Sequence, residues 1–351
     1  MKKNIYSLLP HELEEQLIAL GEPKYRAQQI FTQLHRGIFL SEMTNIGKKT
    51  KEKLSNTFVT EPLKIKRKLV SKLDGTVKYL FELCDGNCVE SVVMSYQHGY
   101  TICVSSQVGC RMGCRFCAST LGGRVRDLES GEMLGQVICA SRDMGVRISN
   151  VVMMGIGEPL DNFDNSVQFL KLLNHPDGVN TGYRHISLST CGVVSGIYAL
   201  CELDLPITLS ISLHAPTDET RSEIMPVNKR WGVGELLCAC KDYFKRTGRR
   251  ISFEYTLISG KNDSREQAEK LASVLNGALR TRTEGMPIHV NLIPVNEVAE
   301  TGFSPADKRA VSEFARVLEL RGIRATVRRK LGSDINASCG QLRREDSLSD
   351  N

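Results

Sequence analysis

No stretch of this 351-residue chain approaches the roughly 20 consecutive apolar residues that a membrane helix needs. No cleavable leader is legible either, because MKKNIYSLLPHELEE meets acidic residues before any apolar run develops. There is no internal repeat beyond a βα period, and no low-complexity tract. Charged residues at 25% beside an apolar set of 41% exclude an intrinsically disordered chain. These absences predict a soluble, intracellular, cytoplasmic protein with no membrane partner. The length predicts two domains, or one large domain with an appendage, and enough chain for a sizeable core.

A strong excess of one charge is also missing: 46 Lys and Arg stand against 40 Asp and Glu. The small excess is unevenly placed. From Lys48 to Lys78 ten basic residues face three acidic ones, and from Arg321 to Arg344 seven face one. Two such patches suit a polyanion such as nucleic acid, although solvated lysine faces give the same counts. Cysteine, by contrast, is abundant, with 12 in the chain. Their spacing is not that of a secreted disulfide scaffold, and stable disulfides are rare in a reducing compartment. Cys110, Cys114 and Cys117 are packed into eight residues while the others are scattered.

Residues 7–58 read as helical, with Leu9, Leu13, Leu17 and Leu20 at helical spacing before Gly21 and Pro23. From about 64 to 96 the pattern is β-rich, and Asp85-Gly86-Asn87 marks a hairpin turn. From Tyr100 onward β-rich segments such as YTICVSS, ISNVVMMG, HISLST, ITLSISLH, ISFEYTLI, IHVNLIPV and IRATVRR alternate with helical ones. This βα repetition predicts an α/β fold with a parallel sheet, a full or partial (β/α) barrel; a doubly wound open sheet is the alternative. The expected boundaries are a helical unit at 1–60, a β-rich extension at 61–98, a barrel core at 99–343 and a polar tail at 344–351. Functional residues belong at the C-terminal ends of the strands.

The first of those strands runs into GCRMGCRFC, residues 109–117. A C-x3-C-x2-C match arises by chance roughly 0.01 times in a chain of this cysteine content. Soft sulfur ligands at this spacing select zinc or iron–sulfur. Three ligands, rather than four, would leave a 4Fe–4S cluster one iron open to a second molecule, as catalytic zinc sites keep an open position. The alternative is a zinc knuckle completed elsewhere, for instance by His98, in a non-catalytic RNA-binding module.

C-x3-C-x2-C after the first strand of a (β/α) barrel, with Phe116 before the third cysteine, resembles the radical S-adenosylmethionine superfamily. CVSSQVGCRMGCRFCAST, VVMMGIGEPLDN, ISLHAPTDETRSEIMPVNK, HVNLIPVN and CGQL, in that order, resemble the adenine-C2 RNA methyltransferases of the RlmN type. The resemblance implies one 4Fe–4S cluster on Cys110, Cys114 and Cys117, and two S-adenosylmethionine molecules per methylation. It implies 23S ribosomal RNA and transfer RNA as substrates, and a low-potential electron donor such as flavodoxin or ferredoxin. A radical route suits C2 of adenine, an electron-poor carbon that will not attack an electrophilic methyl group, and it needs a thiolate to store that methyl. By resemblance Cys339 is the methyl carrier, and Cys103 attacks its sulfur to free the product through a transient disulfide. Glu90 matches the base that removes the C2 proton. Gly157 and Glu158 match the segment that holds the methionine amino group, where a carboxylate meets an ammonium. Ser189, Ser212, Leu213, His214 and Asn296 match strand-end contacts to the ribose and carboxylate. Read without the resemblance, Cys103 is a buried strand residue, Cys339 a bystander and Glu90 an outward-facing strand acid. The related adenine-C8 methyltransferases of antibiotic resistance are the near alternative. Cys139, Cys201, Cys238 and Cys240 lie in helical segments and are expected to pack as small apolar groups. Cys191 is assigned no role.

Overall fold

The computed structural model describes residues 2–280, 285–295 and 302–337. At the N-terminus lie α1 (Pro10–Ala19), α2 (Tyr25–His35) and α3 (Lys48–Thr57). The leucine spacing is the cause of α1: Leu13 and Leu17 are buried, and Leu9 and Leu20 pack at the margin of the same core. Pro10 opens the helix and Gly21, at φ +70°, lets the chain leave it in a left-handed turn. A short parallel pairing of Lys3–Asn4 with Phe58–Val59 ties the two ends of this unit together.

Ten strands then form one sheet: β1 (Lys64–Val70), β2 (Val77–Glu82), β3 (Cys88–Tyr96), β4 (Gly99–Cys103), β5 (Ile148–Met153), β6 (Ile186–Thr190), β7 (Thr208–Ser212), β8 (Ile251–Leu257), β9 (His289–Pro294) and β10 (Arg324–Val327). Their order across the sheet is their order along the chain. Strands β1 to β4 are antiparallel, and β2 turns into β3 at Gly86 (φ +82°). From β4 to β10 every pairing is parallel. The crossovers carry α4 (Ser130–Met144), α5 (Phe163–Asn174), α6 (Val194–Glu202), α7 (Asp218–Ile224), α8 (Val233–Thr247), α9 (Arg265–Leu279) and α10 (Lys308–Leu320). Right-handed crossovers that always add the next strand on the same side put their helices on one face. Neighbouring helices accordingly pack in sequence, α4 on α5, α6 on α8, α8 on α9 and α9 on α10. The fold is an open, singly wound partial (β/α) barrel with edges at β1 and β10. A doubly wound sheet would reverse its strand order partway, and this one does not.

Parallel strands covered on both faces read as continuous apolar runs. These strands alternate instead. Ile186 and Leu188, Leu209 and Ile211, Phe253 and Tyr255, and Val290 and Leu292 are at most 1% exposed and belong to the apolar core. The residues between them, Ser187, Ser189, Ser210, Ser212, Ser252, Glu254 and Asn291, point to the opposite face. The helices thus cover an apolar surface, and along β6 to β9 these residues leave the concave face polar.

The N-terminal unit shares a continuous core with the sheet domain. Its closest seam is at Gly131 in α4, whose N–H donates to Ser7 Oγ at 2.9 Å. A Cβ at Gly131 would stand 2.7 Å from that oxygen and 2.8 Å from the Ser7 nitrogen. Arg142 of α4 also pairs with Glu42 and donates to the Gly37 carbonyl. Gly131→Ala is expected to lower stability by about 1–3 kcal/mol through overpacking. An unchanged urea midpoint would count against this seam.

His35 supplies a second test. Its ring lies 3.9 Å, centroid to centroid, from Phe31, and neither ring nitrogen has a hydrogen-bond partner among the described residues. Burial, with a smaller contribution from His175, pushes its pKa from 6.5 down to about 3. The unfolded chain therefore binds this proton before the folded one does. The stability tied to a neutral His35 is fully present above pH 6.5 and is lost as pH falls towards 3. His35→Phe is expected to flatten that acid limb, measured as unfolding free energy at stepped pH; an unaltered slope would refute the assignment.

Candidate active site

The cysteine loop is closed at its base by Gln107–Gly109 pairing antiparallel with Arg124–Asp127. Gly109 sits at φ +78°, and a Cβ there would overlap the carbonyl oxygen of Gly123. Only bare backbone fits this crossing. Within the loop, N–H groups of Cys110, Arg115 and Cys117 donate to the carbonyls of Gly123, Ile224 and Cys114. Cys110, Cys114 and Cys117 all line one cavity of about 250 Å³. Burial pushes the Cys110 thiol up to about 12, with Glu158 and Cys117 adding to the effect. Burial raises Cys114 well above the ordinary thiol range, reinforced by Cys117 and Cys110. Such thiols stay protonated by themselves and ionise as ligands of a cationic centre. Among the described residues no three His, Cys, Asp or Glu side chains converge on a single ion. A cubane cluster does not ask for that, since each cysteine takes a different iron.

The ends of β5 to β8 supply the opposite wall. Gly157 has φ +108°, and a Cβ there would stand 2.6 Å from the Cβ of Gln107, so this turn also needs glycine. Glu158 is 3% exposed and lines the cavity. Its Oε1 accepts the Leu160 N–H at 3.0 Å and its Oε2 the Cys191 N–H at 2.7 Å. Burial raises its pKa above the ordinary carboxylate value while those amide donors oppose the shift. The carboxylate is a brace between two strand ends as well as a wall of the cavity. Ser189 and Ser212 hydroxyls approach to 3.5 Å beside it. His214 holds φ +58°, accepts the Thr256 N–H on Nδ1 at 2.9 Å and meets Phe116 edge-on at 4.9 Å. Accepting on Nδ1 puts its proton on Nε2, and burial lowers its pKa to about 3, so the ring is neutral. Leu213 departs from the other strand-end residues. Its side chain is buried in the apolar core, and only its peptide groups reach polar partners, the Glu254 carbonyl and Arg221. Asn296 lies outside the described residues.

Glu90 and Cys103 lie on the same face of the sheet as these serines. Register carries the alignment: Leu80 faces Glu90, Lys78 faces Val92, Val92 faces Cys103, Cys103 faces Val152 and Val152 faces Ser187. Glu90 is not an outward-facing acid. It is 3% exposed, with Oε2 at 3.0 Å from Nζ of a fully buried Lys78. Lys78 therefore has no part in the exposed basic patch to which its position in the chain assigned it. Cys103 clusters with Val92 and Met94, and Leu331 and Ala337 pack against that cluster. Cys339 lies outside the described residues.

Two residues of the site were given no role by the sequence. Arg221, in a short helix that reads as a charged surface, is fully buried. Its guanidinium donates to the carbonyls of Leu213, Cys191 and Ser212 and to Asn228, stitching the ends of β6 and β7 together behind Cys114. Cys191 lines the cavity and positions Glu158. Cys139, Cys201 and Cys240 are buried as expected, but Cys238 is exposed, because two residues along a helix are about 200° apart around its axis. Cys114→Ser is expected to abolish bound iron and broad visible absorption after anaerobic reconstitution while far-UV dichroism is retained. Cys238→Ser should keep both, and iron retained by Cys114→Ser would remove that residue from the ligand set.

Residues 104–272 match the model of the radical SAM superfamily, and residues 3–60 that of the ribosomal RNA large subunit methyltransferase N-terminal domain. A Clostridium novyi (strain NT) protein named "Probable dual-specificity RNA methyltransferase RlmN" is 50% identical over 344 residues, 97% of this chain and 98% of that protein. A protein of the same name from Alkaliphilus oremlandii is 49% identical over 98% of each chain. The crystal structure of a radical SAM methyltransferase from Sphaerobacter thermophilus aligns with a TM-score of 0.90 at 41% identity, covering 97% of this chain and 98% of that one. Membership of the superfamily implies a 4Fe–4S cluster and S-adenosylmethionine, and three soft donors on one cavity fit the cluster. The chain belongs to the RlmN family of radical S-adenosylmethionine RNA methyltransferases.

Proposed function

We propose that this enzyme methylates C2 of adenine in 23S ribosomal RNA and in transfer RNA, consuming two S-adenosylmethionine molecules per methyl group. A low-potential donor such as flavodoxin or ferredoxin supplies the electrons. One observation carries the reading: Glu90, Cys103 and the segment leading to Cys339 share the concave face with the cysteine-lined cavity. Ala337 packs against the Cys103 cluster, and two further residues of chain span at most about 7 Å.

Cys110, Cys114 and Cys117 would hold the cluster, and Glu158, Ser189, Ser212 and His214 would hold S-adenosylmethionine, with Gly157 opening room for its close approach. When bound, these groups supply the methyl carbon and a carbon radical able to react where an electron-poor ring carbon will not. Glu158 offers a carboxylate to an ammonium and the neutral His214 offers an N–H. Cys339 takes the methyl group on its sulfur and carries the carbon to the base. Cys103 attacks that sulfur, forming an S–S bond as the S–C bond to the product breaks, and Glu90 takes the proton from C2. The unit at residues 2–60 and the exposed Lys48, Lys49, Lys64, Lys66, Arg67 and Lys68 would grip the phosphate backbone while the cavity receives an exposed base.

Cys103→Ala is expected to bind iron normally and to leave RNA covalently attached to Cys339, seen on a denaturing gel. Cys339→Ala, and the double variant, should give no adduct. Multiple-turnover methylation by Cys103→Ala would sink the resolving role. Mass spectrometry of digested RNA should show 2-methyladenosine; 8-methyladenosine would establish the C8 chemistry instead. Zinc without iron in anaerobically purified protein would end the radical reading altogether.

A further inference from the structure

The segment 331–337 is fastened to the turn between β1 and β2 by bonds that span more than 250 positions of sequence. Asp334 accepts the Ser71 hydroxyl at 2.7 Å and the Lys72 N–H at 2.8 Å. The Gly332 N–H donates to Asp74 at 2.8 Å. The innermost tie is Lys78, which is 0% exposed. Its ammonium reaches Glu90 Oε2 at 3.0 Å and donates to the Asn336 carbonyl at 2.9 Å. A buried ammonium needs its donors used, and here one head group joins the proposed base to the main chain three residues before Cys339. Lys78 and Glu90 sit diagonally on adjacent strands, two residue positions apart in the register, on the same face as Cys103.

We propose that Lys78 is a positioning residue that holds the segment preceding Cys339 against Glu90 and Cys103, with the Asp334 contacts as its outer anchor. The proposal rests on the roles just given to Cys339 and Cys103. Its geometry accounts for a lysine in a place where an apolar side chain would fill the space without the cost of burying a charge. Neither the ammonium nor Asp334 touches the adenine in this scheme. They act by raising the local concentration of the Cys339 thiol at Cys103.

That concentration is directly measurable. Reconstituted protein is equilibrated anaerobically in glutathione buffers, where oxidised glutathione takes two hydrogens from the thiol pair and leaves as two reduced molecules. The Cys103–Cys339 disulfide is then quantified by alkylation and peptide mass spectrometry. Lys78→Met and the exposed Asp334→Ala are each expected to lower the effective concentration of the pair by roughly tenfold or more. Asp334→Ala should do so with an unchanged melting temperature, which a merely structural role would not predict. In a second arm, both variants should release more 5′-deoxyadenosine per methyl group transferred than wild type. A folded Lys78→Met protein with the wild-type disulfide equilibrium overturns the proposal. If Lys78→Met does not fold, a wild-type equilibrium in Asp334→Ala overturns it. Wild-type protein that forms the disulfide yet methylates no RNA would refute the functional reading and leave the positioning role standing.

Discussion

A parallel sheet with one apolar and one polar face constrains everything else in this molecule. The apolar face must be covered, and the helices of the crossovers cover it with a continuous core. The polar face cannot be packed the same way, because Ser210, Ser212, Ser252 and Glu254 carry groups that need partners. Part of that need is met along the face itself, where Ser187 reaches Ser210, and Glu254 takes hydrogen bonds from Ser252 and Asn291. Ser189 and Ser212 meet in the same way at the rim of the cavity. A chain wound in one direction curls this face inward, so the cavity, the cysteine loop and the strand ends meet at one place.

Buried charge at that place is handled by main-chain oxygens as much as by counter-ions. The fully buried Arg221 spends its donors on three carbonyls and an amide oxygen. Lys78 reaches both a carboxylate and a main-chain carbonyl. Such groups are costly to desolvate, and an apolar replacement would often be neutral for stability. What they add is geometry: each fixes the relative position of segments that the hydrophobic core alone would let slide.

The cavity wall shows the same economy of backbone. Gly109 and Gly157 stand where main chain crosses main chain, and a methyl group at either would collide with a neighbour. Glu158 joins the loop after β5 to the end of β6 through two amide hydrogens. The carboxylate and the neutral His214 are therefore held by main-chain hydrogen bonds, and groups fixed in this way need little reorganisation during reaction.

Much of this was legible in the sequence because it is local. The spacing of Cys110, Cys114 and Cys117, the leucine period of α1 and the alternation in HISLST and ITLSISLH all concern residues within a few positions of one another. They were enough for the fold class and for one wall of the cavity. Arg221 was not legible, since a short helix rich in charge reads as surface until its neighbours are known. Lys78 was counted in a basic patch for the same reason, and Glu90 could be read as an outward-facing acid. Local pattern settles which residues alternate, which can bind a soft metal and where the chain must turn. Which charges are buried, and what they hold, follows from the three-dimensional packing. Burial and pairing depend on cross-strand register and on contacts as distant as Lys78 with Asn336, and no local pattern encodes those.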